Sequence, residues 1–358
     1  MILRGANKRL YTAFLKLLLL CSFFSCQEKR EARPISPSFY HWKSTLNLTG
    51  FEKQKLDSLK VKTIYLKFFD VDWDETAGRP VPAAKLQATS GGQSKGFSVI
   101  PTVFITNECI QKIDSSQIEK LSENIYSLIN EIKQANGFDS IAEIQIDCDW
   151  TAATKDKYFT LLKNIKLKIS NLPTGQAGTK LSATIRLYQV KFVAKTGIPP
   201  VDRGLLMCYN MGNLKDPATK NSILETAELK KYTGNLSSYP LPLDVAFPLF
   251  DWKVLYRNNV YTGLLQGLPN AAFSNSFCNK TGNRYQILKD TLLQGYDLRK
   301  GDMIRNEQSD INEVLSAAAE IGRHLKNTPL RASLYHLDSV ILSKYSKHEL
   351  ESIYNSLY

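Results

Sequence analysis

From residue 38 onward, short apolar runs of strand length alternate with longer stretches whose apolar residues recur every three or four positions. The strand-like runs are Phe39–Trp42, Thr63–Phe69, Val99–Thr106, Glu143–Asp149, Leu181–Leu187, Gly204–Tyr209, Leu243–Pro248 and Ala332–Leu337. Between them, Ile118, Leu121, Ile125, Leu128, Ile129 and Ile132 form one helical stripe; Tyr158, Leu161, Leu162, Ile165 and Ile169 form another. Eight strands alternating with helices predict an α/β fold, a (β/α)8 TIM barrel made as one domain over residues 38–358. The long interval between the seventh and eighth strands predicts an insertion at about residues 251–330. It begins with a hairpin-like stretch, Val254–Leu265, and ends with a helix near Ile311–Leu325.

The alternation within strands says which face is which. Glu143, Gln145, Asp147 and Asp149 share one side of the fourth strand; Ile144, Ile146, Cys148 and Trp150 share the other. The fifth strand divides Ser182, Thr184 and Arg186 from Leu181, Ala183, Ile185 and Leu187 in the same way. On the second strand Lys67 shares a face with Tyr65 and Phe69. Helices cover the outside of such a barrel, so the polar faces are expected inside. There Lys67 and Arg186 can pair with Glu143, Asp147, Asp149 and Asp244, because unpaired charge in a lumen is costly. Asp147 and Asp149 fall at the C-terminal end of their strand, where barrel sites form.

Charge and cysteine content add a location. The chain has 358 residues, with 46 Lys plus Arg against 34 Asp plus Glu, a net +12. Four of the basic residues, Arg4, Lys8, Arg9 and Lys16, lie in an acid-free leader; without them 42 oppose 34, or +8. The remaining excess forms no aromatic-interleaved stripe, so no nucleic-acid partner is expected. A basic start, an apolar run from Leu17 to Phe24 and then Ser25-Cys26 read as a signal peptide over residues 1–25. Cys26 is the expected lipidation site, and residues 26–37 hold the lipidated cysteine and a tether. That places the chain in the cell envelope, lipid-anchored to a membrane and facing the periplasm or the cell surface. The other cysteines form no CxxC pair and stand near no histidine, so neither a metal nor another cofactor is expected; Cys148 and Cys208 read as small buried apolar residues.

The four tryptophans, Trp42, Trp73, Trp150 and Trp252, each lie at or just past a strand end, the first, second, fourth and seventh. They would gather on one rim. Flat rings beside carboxylates suit a carbohydrate, whose C–H faces stack while its hydroxyls bond to acids. Trp42, Trp73 and Trp252 are the expected platforms; Trp150, on the outward parity, is equally suited to packing under a helix.

Ile146-Asp147-Cys148-Asp149-Trp150 resembles the fourth-strand signature D-x-x-D-x-D-x-E of family 18 glycoside hydrolases, the chitinase-like barrels. Met207-Cys208-Tyr209-Asn210-Met211-Gly212 resembles that family's sixth-strand M-x-Y-D segment. The layout is also similar to that of uncharacterised bacterial barrel lipoproteins. The family resemblance implies catalytic roles for Asp147, Asp149 and Tyr209 and a place beside the ligand for Asn210; strand-end position and parity add Trp42, Trp73, Trp252 and Arg186 as expected ligand contacts, with Asp72 and Asp251 as further acids near the rim. Three positions depart from the pattern: Thr151 replaces the proton-donating Glu, Ile144 the first Asp, and Asn210 the Asp after the tyrosine. A threonine hydroxyl cannot serve as a general acid near neutral pH. Three readings follow. Hydrolysis uses a relocated acid, with Asp149 set against Asp72 or Asp251; or the barrel binds a polysaccharide without cleaving it; or, less in keeping with the rim, it is an envelope scaffold.

Overall fold

The computed structural model describes residues 33–88, 96–138, 140–170, 178–274, 276–326 and 329–358. The signal peptide and Cys26 therefore lie outside the described residues. Strands β1 (Ile35–His41), β2 (Thr63–Asp74), β3 (Arg79–Ala83), β4 (Ser98–Ile105), β5 (Glu143–Asp147), β6 (Lys180–Arg186), β7 (Arg203–Met207) and β8 (Leu243–Pro248) come first. The insertion adds β9 (Asp251–Arg257), β10 (Val260–Leu265), β11 (Cys278–Thr281), β12 (Arg284–Ile287), β13 (Thr291–Leu293), β14 (Tyr296–Leu298) and β15 (Met303–Gln308) before β16 (Leu330–Tyr335). Parallel pairing runs β1-β16-β8-β7-β6-β5-β4-β2, and β2 returns to β1, so eight strands close into a barrel. Each predicted barrel strand is present, displaced by a few residues at most at its start.

The predicted stripes are what the helices bury. The helix Ile118–Ala135 turns Ile118, Leu121, Ile125, Ile129 and Ile132 inward; the helix Lys155–Ser170 does the same with Tyr158, Leu161, Leu162, Ile165 and Ile169. Each such side chain contributes about 2 kcal/mol by leaving water. The outward strand residues Ile144, Ile146, Leu181 and Ile185 meet these helices and are likewise buried. Cys109, Cys148, Cys208 and Cys278 are buried free thiols, as expected for Cys148 and Cys208.

The lumen is polar, as the strand parity predicts, and Arg186 pairs with Asp149 as expected, but the ion pairs at its floor are different ones. At the floor Arg331 Nη1 donates to Glu143 Oε2 at 2.9 Å and to the Tyr65 hydroxyl at 2.8 Å. Asp244 accepts from Arg203 Nη2 at 2.8 Å and from the Arg331 backbone at 3.0 Å. Lys67 and Arg186 take no part in this floor. Arg203 begins β7 and Arg331 is the second residue of β16, whereas Lys67 lies within β2 opposite Thr102, and Arg186 ends β6. In the middle layer the Tyr40 hydroxyl donates to Gln145 Oε1 at 2.5 Å.

A β-bulge changes the second strand. Lys67 pairs with Thr102 and Phe69 with Val103, leaving Phe68 as the extra residue. The face therefore switches: Phe69 turns out, away from Lys67's side, and Asp70 turns in, opposite Phe104 and in the layer of Asp147. The second strand, expected to end at Phe69, continues through the acidic stretch to Asp74 and pairs antiparallel with β3.

The insertion between the seventh and eighth barrel strands is a five-stranded antiparallel sheet in the order β10-β9-β15-β12-β11, with β13 and β14 as a separate hairpin. The predicted hairpin is β9–β10, turned by Asn258 and Asn259 at φ of 52° and 62°, a two-residue pattern that asparagine tolerates. Its own core includes Leu255, Phe273, Tyr285 and Ile304. The predicted helix follows as Ile311–His324, capped by Asp310.

Candidate functional site

Above the middle layer, β5 and β6 present two polar pairs at the barrel mouth. Thr184 Oγ1 donates to Asp147 Oδ1 at 2.6 Å, and Arg186 Nε donates to Asp149 Oδ1 at 2.5 Å. Both charged side chains of the second pair remain about two-fifths exposed, 39% for Arg186 and 40% for Asp149. Arg186 is held from behind: its backbone N–H donates to Gln189 Oε1 at 2.8 Å, and Gln189 Nε2 donates to the Trp150 carbonyl at 2.9 Å.

Asp147 is the perturbed acid. Part of its surface reaches solvent, yet protein surrounds the carboxyl group. Burial, followed by repulsion from Asp149, pushes its pKa up to about 7; Thr184 and Arg186 pull the other way, and Asp70 adds repulsion. Near neutral pH it is divided between its two protonation states. The Tyr209 phenol is held well above its ordinary value, first by burial and then by its neighbours Tyr335 and Asp147.

An arc of rings surrounds these groups. Trp42 lies 5.7 Å from Tyr335, Tyr335 stacks on Tyr209 at 5.5 Å, Tyr209 meets Phe250 at 6.0 Å, and Phe250 meets Trp252 at 5.2 Å. Phe104 closes on Trp42 at 6.4 Å. Lys67 Nζ stands 5.7 Å from the Trp42 ring centroid and 3.0 Å from Asp70 Oδ2.

The structure thus brings together Trp42, Trp252, Tyr209, Asp147, Asp149 and Arg186. Asn210 follows Tyr209 with φ of 55°, its N–H donating to the Ile223 carbonyl at 2.8 Å. Three other residues lie elsewhere, and Asp72 is engaged by its own neighbours. Trp73 sits opposite Pro80 on the far end of β2, on the side of Phe69 and Val71; among the described residues it meets no other ring. The bulge at Phe68 put it there. Asp72 Oδ1 is occupied locally, by the Trp73 N–H at 2.9 Å and Thr106 Oγ1 at 3.1 Å. Asp251 is exposed and paired with Lys344. Trp150 is 3% exposed, stacked on Tyr158 at 5.3 Å with Nε1 donating to the Thr196 carbonyl, so it packs beneath a helix.

Thr151, at the position of the resembled family's Glu, helps to start the helix Lys155–Ser170: its N–H donates to Thr154 Oγ1 and its carbonyl accepts from Lys155. His41 and His336 lie behind the ring arc as neighbours; burial, then Lys43, lowers His41 to about 4. Arg305 and Glu307 form a fully buried salt bridge in the insertion. Sequence reasoning missed Tyr335, Phe250 and Phe104 as parts of the mouth. All three carry the signal used for tryptophan, an aromatic at a strand end; the inward turn of Asp70 is set by the bulge.

The closed parallel barrel with helices outside is a (β/α)8 barrel, and its fold is similar to that of several chitinase-type structures. It is similar to the spore cortex-lytic enzyme SleL of Bacillus cereus, with a TM-score of 0.52 and 13% identity over 91% of this chain and 75% of that one. It is also similar to the Group IV chitinase of Ostrinia furnacalis in complex with allosamidin (0.51, 12%, 91% and 98%). A third similar structure is the chitinase-like agglutinin RobpsCRA of Robinia pseudoacacia (0.50, 11%, 91% and 100%). No family model matches the chain, and no curated protein sequence does.

Proposed function

We propose that the mouth of this barrel binds a glycan, and that the chain is a glycan-binding lipoprotein of the cell envelope, anchored through Cys26. The ring arc from Trp42 through Tyr335, Tyr209 and Phe250 to Trp252, set around Asp147, Asp149 and Arg186, carries this reading. Rings supply stacking faces, and the half-exposed Asp149–Arg186 pair supplies hydrogen bonds to hydroxyls. The related barrels include an allosamidin-bound chitinase and an agglutinin, so the fold accommodates both cleavage and binding. With Thr151 in place of the Glu, binding without the family's proton transfer is the leading reading.

Hydrolysis through a relocated acid has one observation in its favour: Asp147 sits near 7, a suitable value for a proton donor at neutral pH. One screen separates the two. The full chain is titrated with chitin oligosaccharides, peptidoglycan fragments and plant or host glycans, with Trp42→Ala, Tyr335→Ala and Asp147→Asn in parallel. Binding that needs the rings, with no product from any protein, supports the binding barrel. Product from wild type that Asp147→Asn abolishes supports the glycosidase. Absence of any binding refutes both. Labelling with palmitate, lost in Cys26→Ser, tests the anchor.

A further inference from the structure

We infer that Glu307, contributed by the insertion, is a positioning residue that fixes two walls of the mouth at once; the inference rests on the glycan-binding reading. Its side chain is wholly buried, with four donors gathered on one carboxylate. Oε2 accepts from the Ser222 N–H at 3.0 Å, Ser222 Oγ at 2.5 Å and Trp252 Nε1 at 2.7 Å; Oε1 takes Arg305 Nε. These donors come from separate segments: the loop after β7, the start of β9, and β15.

The Ser222 and Trp252 contacts lead to the mouth. Through the loop, the Ser222 carbonyl accepts from the Gly212 N–H at 3.2 Å and the Ile223 carbonyl from the Asn210 N–H at 2.8 Å, so the chain just after Tyr209 is laid against Ser222. A Cβ at Gly212 would stand 2.7 Å from Ser222 Cα, which shows how close the two runs lie. Through Trp252, the same carboxylate orients a ring that packs on Phe250, which in turn meets Tyr209 and Tyr335. Buried charge pairs contribute little net stability and persist where they specify geometry. Here the geometry specified is that of the ring arc, and the insertion sheet holds it from outside the barrel.

The control is Asp302, another buried acid of the insertion, whose partners Arg257 and Arg299 lie within the insertion itself. Glu307→Gln and Asp302→Asn are compared in the full chain by amide hydrogen exchange at Asn210 and Gly212 and by titration with chitotetraose. Glu307→Gln is expected to speed exchange at both amides and to weaken binding about tenfold, while Asp302→Asn leaves both unchanged. Ser222→Ala, which keeps the charge pair, should show the same pattern more weakly if Glu307→Gln does not fold. The inference is overturned if exchange at Asn210 and Gly212 in the Glu307 and Ser222 variants is no faster than in Asp302→Asn. Should wild type bind no chitotetraose, the exchange data still decide the inference, and the glycan reading fails for that ligand separately.

Discussion

The floor and the mouth of this barrel are built from the same strands, two or four residues apart, yet they handle charge in opposite ways. At the floor Glu143 and Asp244 are 4% and 1% exposed, and each is paired with an arginine. Burial raises Asp244 to about 6, the two arginines opposing it, so it is ionised at neutral pH. At the mouth Asp147 has a hydroxyl and a neighbouring carboxylate for company and rises to about 7. The floor pairs both its acids with arginines inside the fold, while Glu143 Oε1 and Arg203 Nε stay without a hydrogen-bond partner. The mouth leaves one carboxyl group incompletely compensated beside rings that are half-buried (Trp42, Trp252, Tyr335) or buried (Tyr209, Phe250), the kind of perturbed acid that clusters at functional sites.

The comparison breaks most visibly at the floor. Arg331→Met leaves Glu143 and Asp244 buried without their shared cation and should cost about 3 to 5 kcal/mol in chemical denaturation; a loss under 1 kcal/mol would mean that the floor is no tighter than the mouth. Next is Asp147→Asn. Between the ordinary carboxylate pKa of 3.8 and about 7, the unfolded chain has released a proton that the folded one keeps, so wild-type stability falls as pH rises through that window. Discounted for partial exposure, the variant should gain about 2 kcal/mol on wild type between pH 4 and pH 8. Equal pH dependence of the two proteins would place Asp147 with the paired acids. Trp42→Ala should weaken glycan binding about tenfold, or about 1.4 kcal/mol, read by titration calorimetry. The smallest effect belongs to Lys344→Ala. Its partner Asp251 is a surface carboxylate away from the mouth, so stability should change by less than about 0.5 kcal/mol and affinity by nothing measurable.

Strand order, helix stripes and the polar lumen were legible because alternation and helical spacing are local properties. The Asp149–Arg186 contact belongs with them, since the two residues end adjacent strands on the inward parity. Three features were not legible. The bulge at Phe68 has no sequence signal of its own, and it moved Asp70 inward and Trp73 away. The partners of Glu143 and Asp244 depend on the level of Arg203 and Arg331 in the barrel, which is fixed by register across strands far apart in the chain. The ring arc was half seen, because an aromatic at a strand end was sought as tryptophan, and Tyr335 and Phe250 meet the same condition.

The buried cysteines give the chain a chemical silence with practical use. Cys109, Cys148, Cys208 and Cys278 are enclosed, and burial pushes their thiols up, Cys109 to about 12. A thiolate is the reactive species, so none of the four offers one to an oxidant or an alkylating reagent while the fold is intact. In the laboratory, alkylation of these four becomes a clock for the opening of the barrel and the insertion, read at each of the four positions against the native protein.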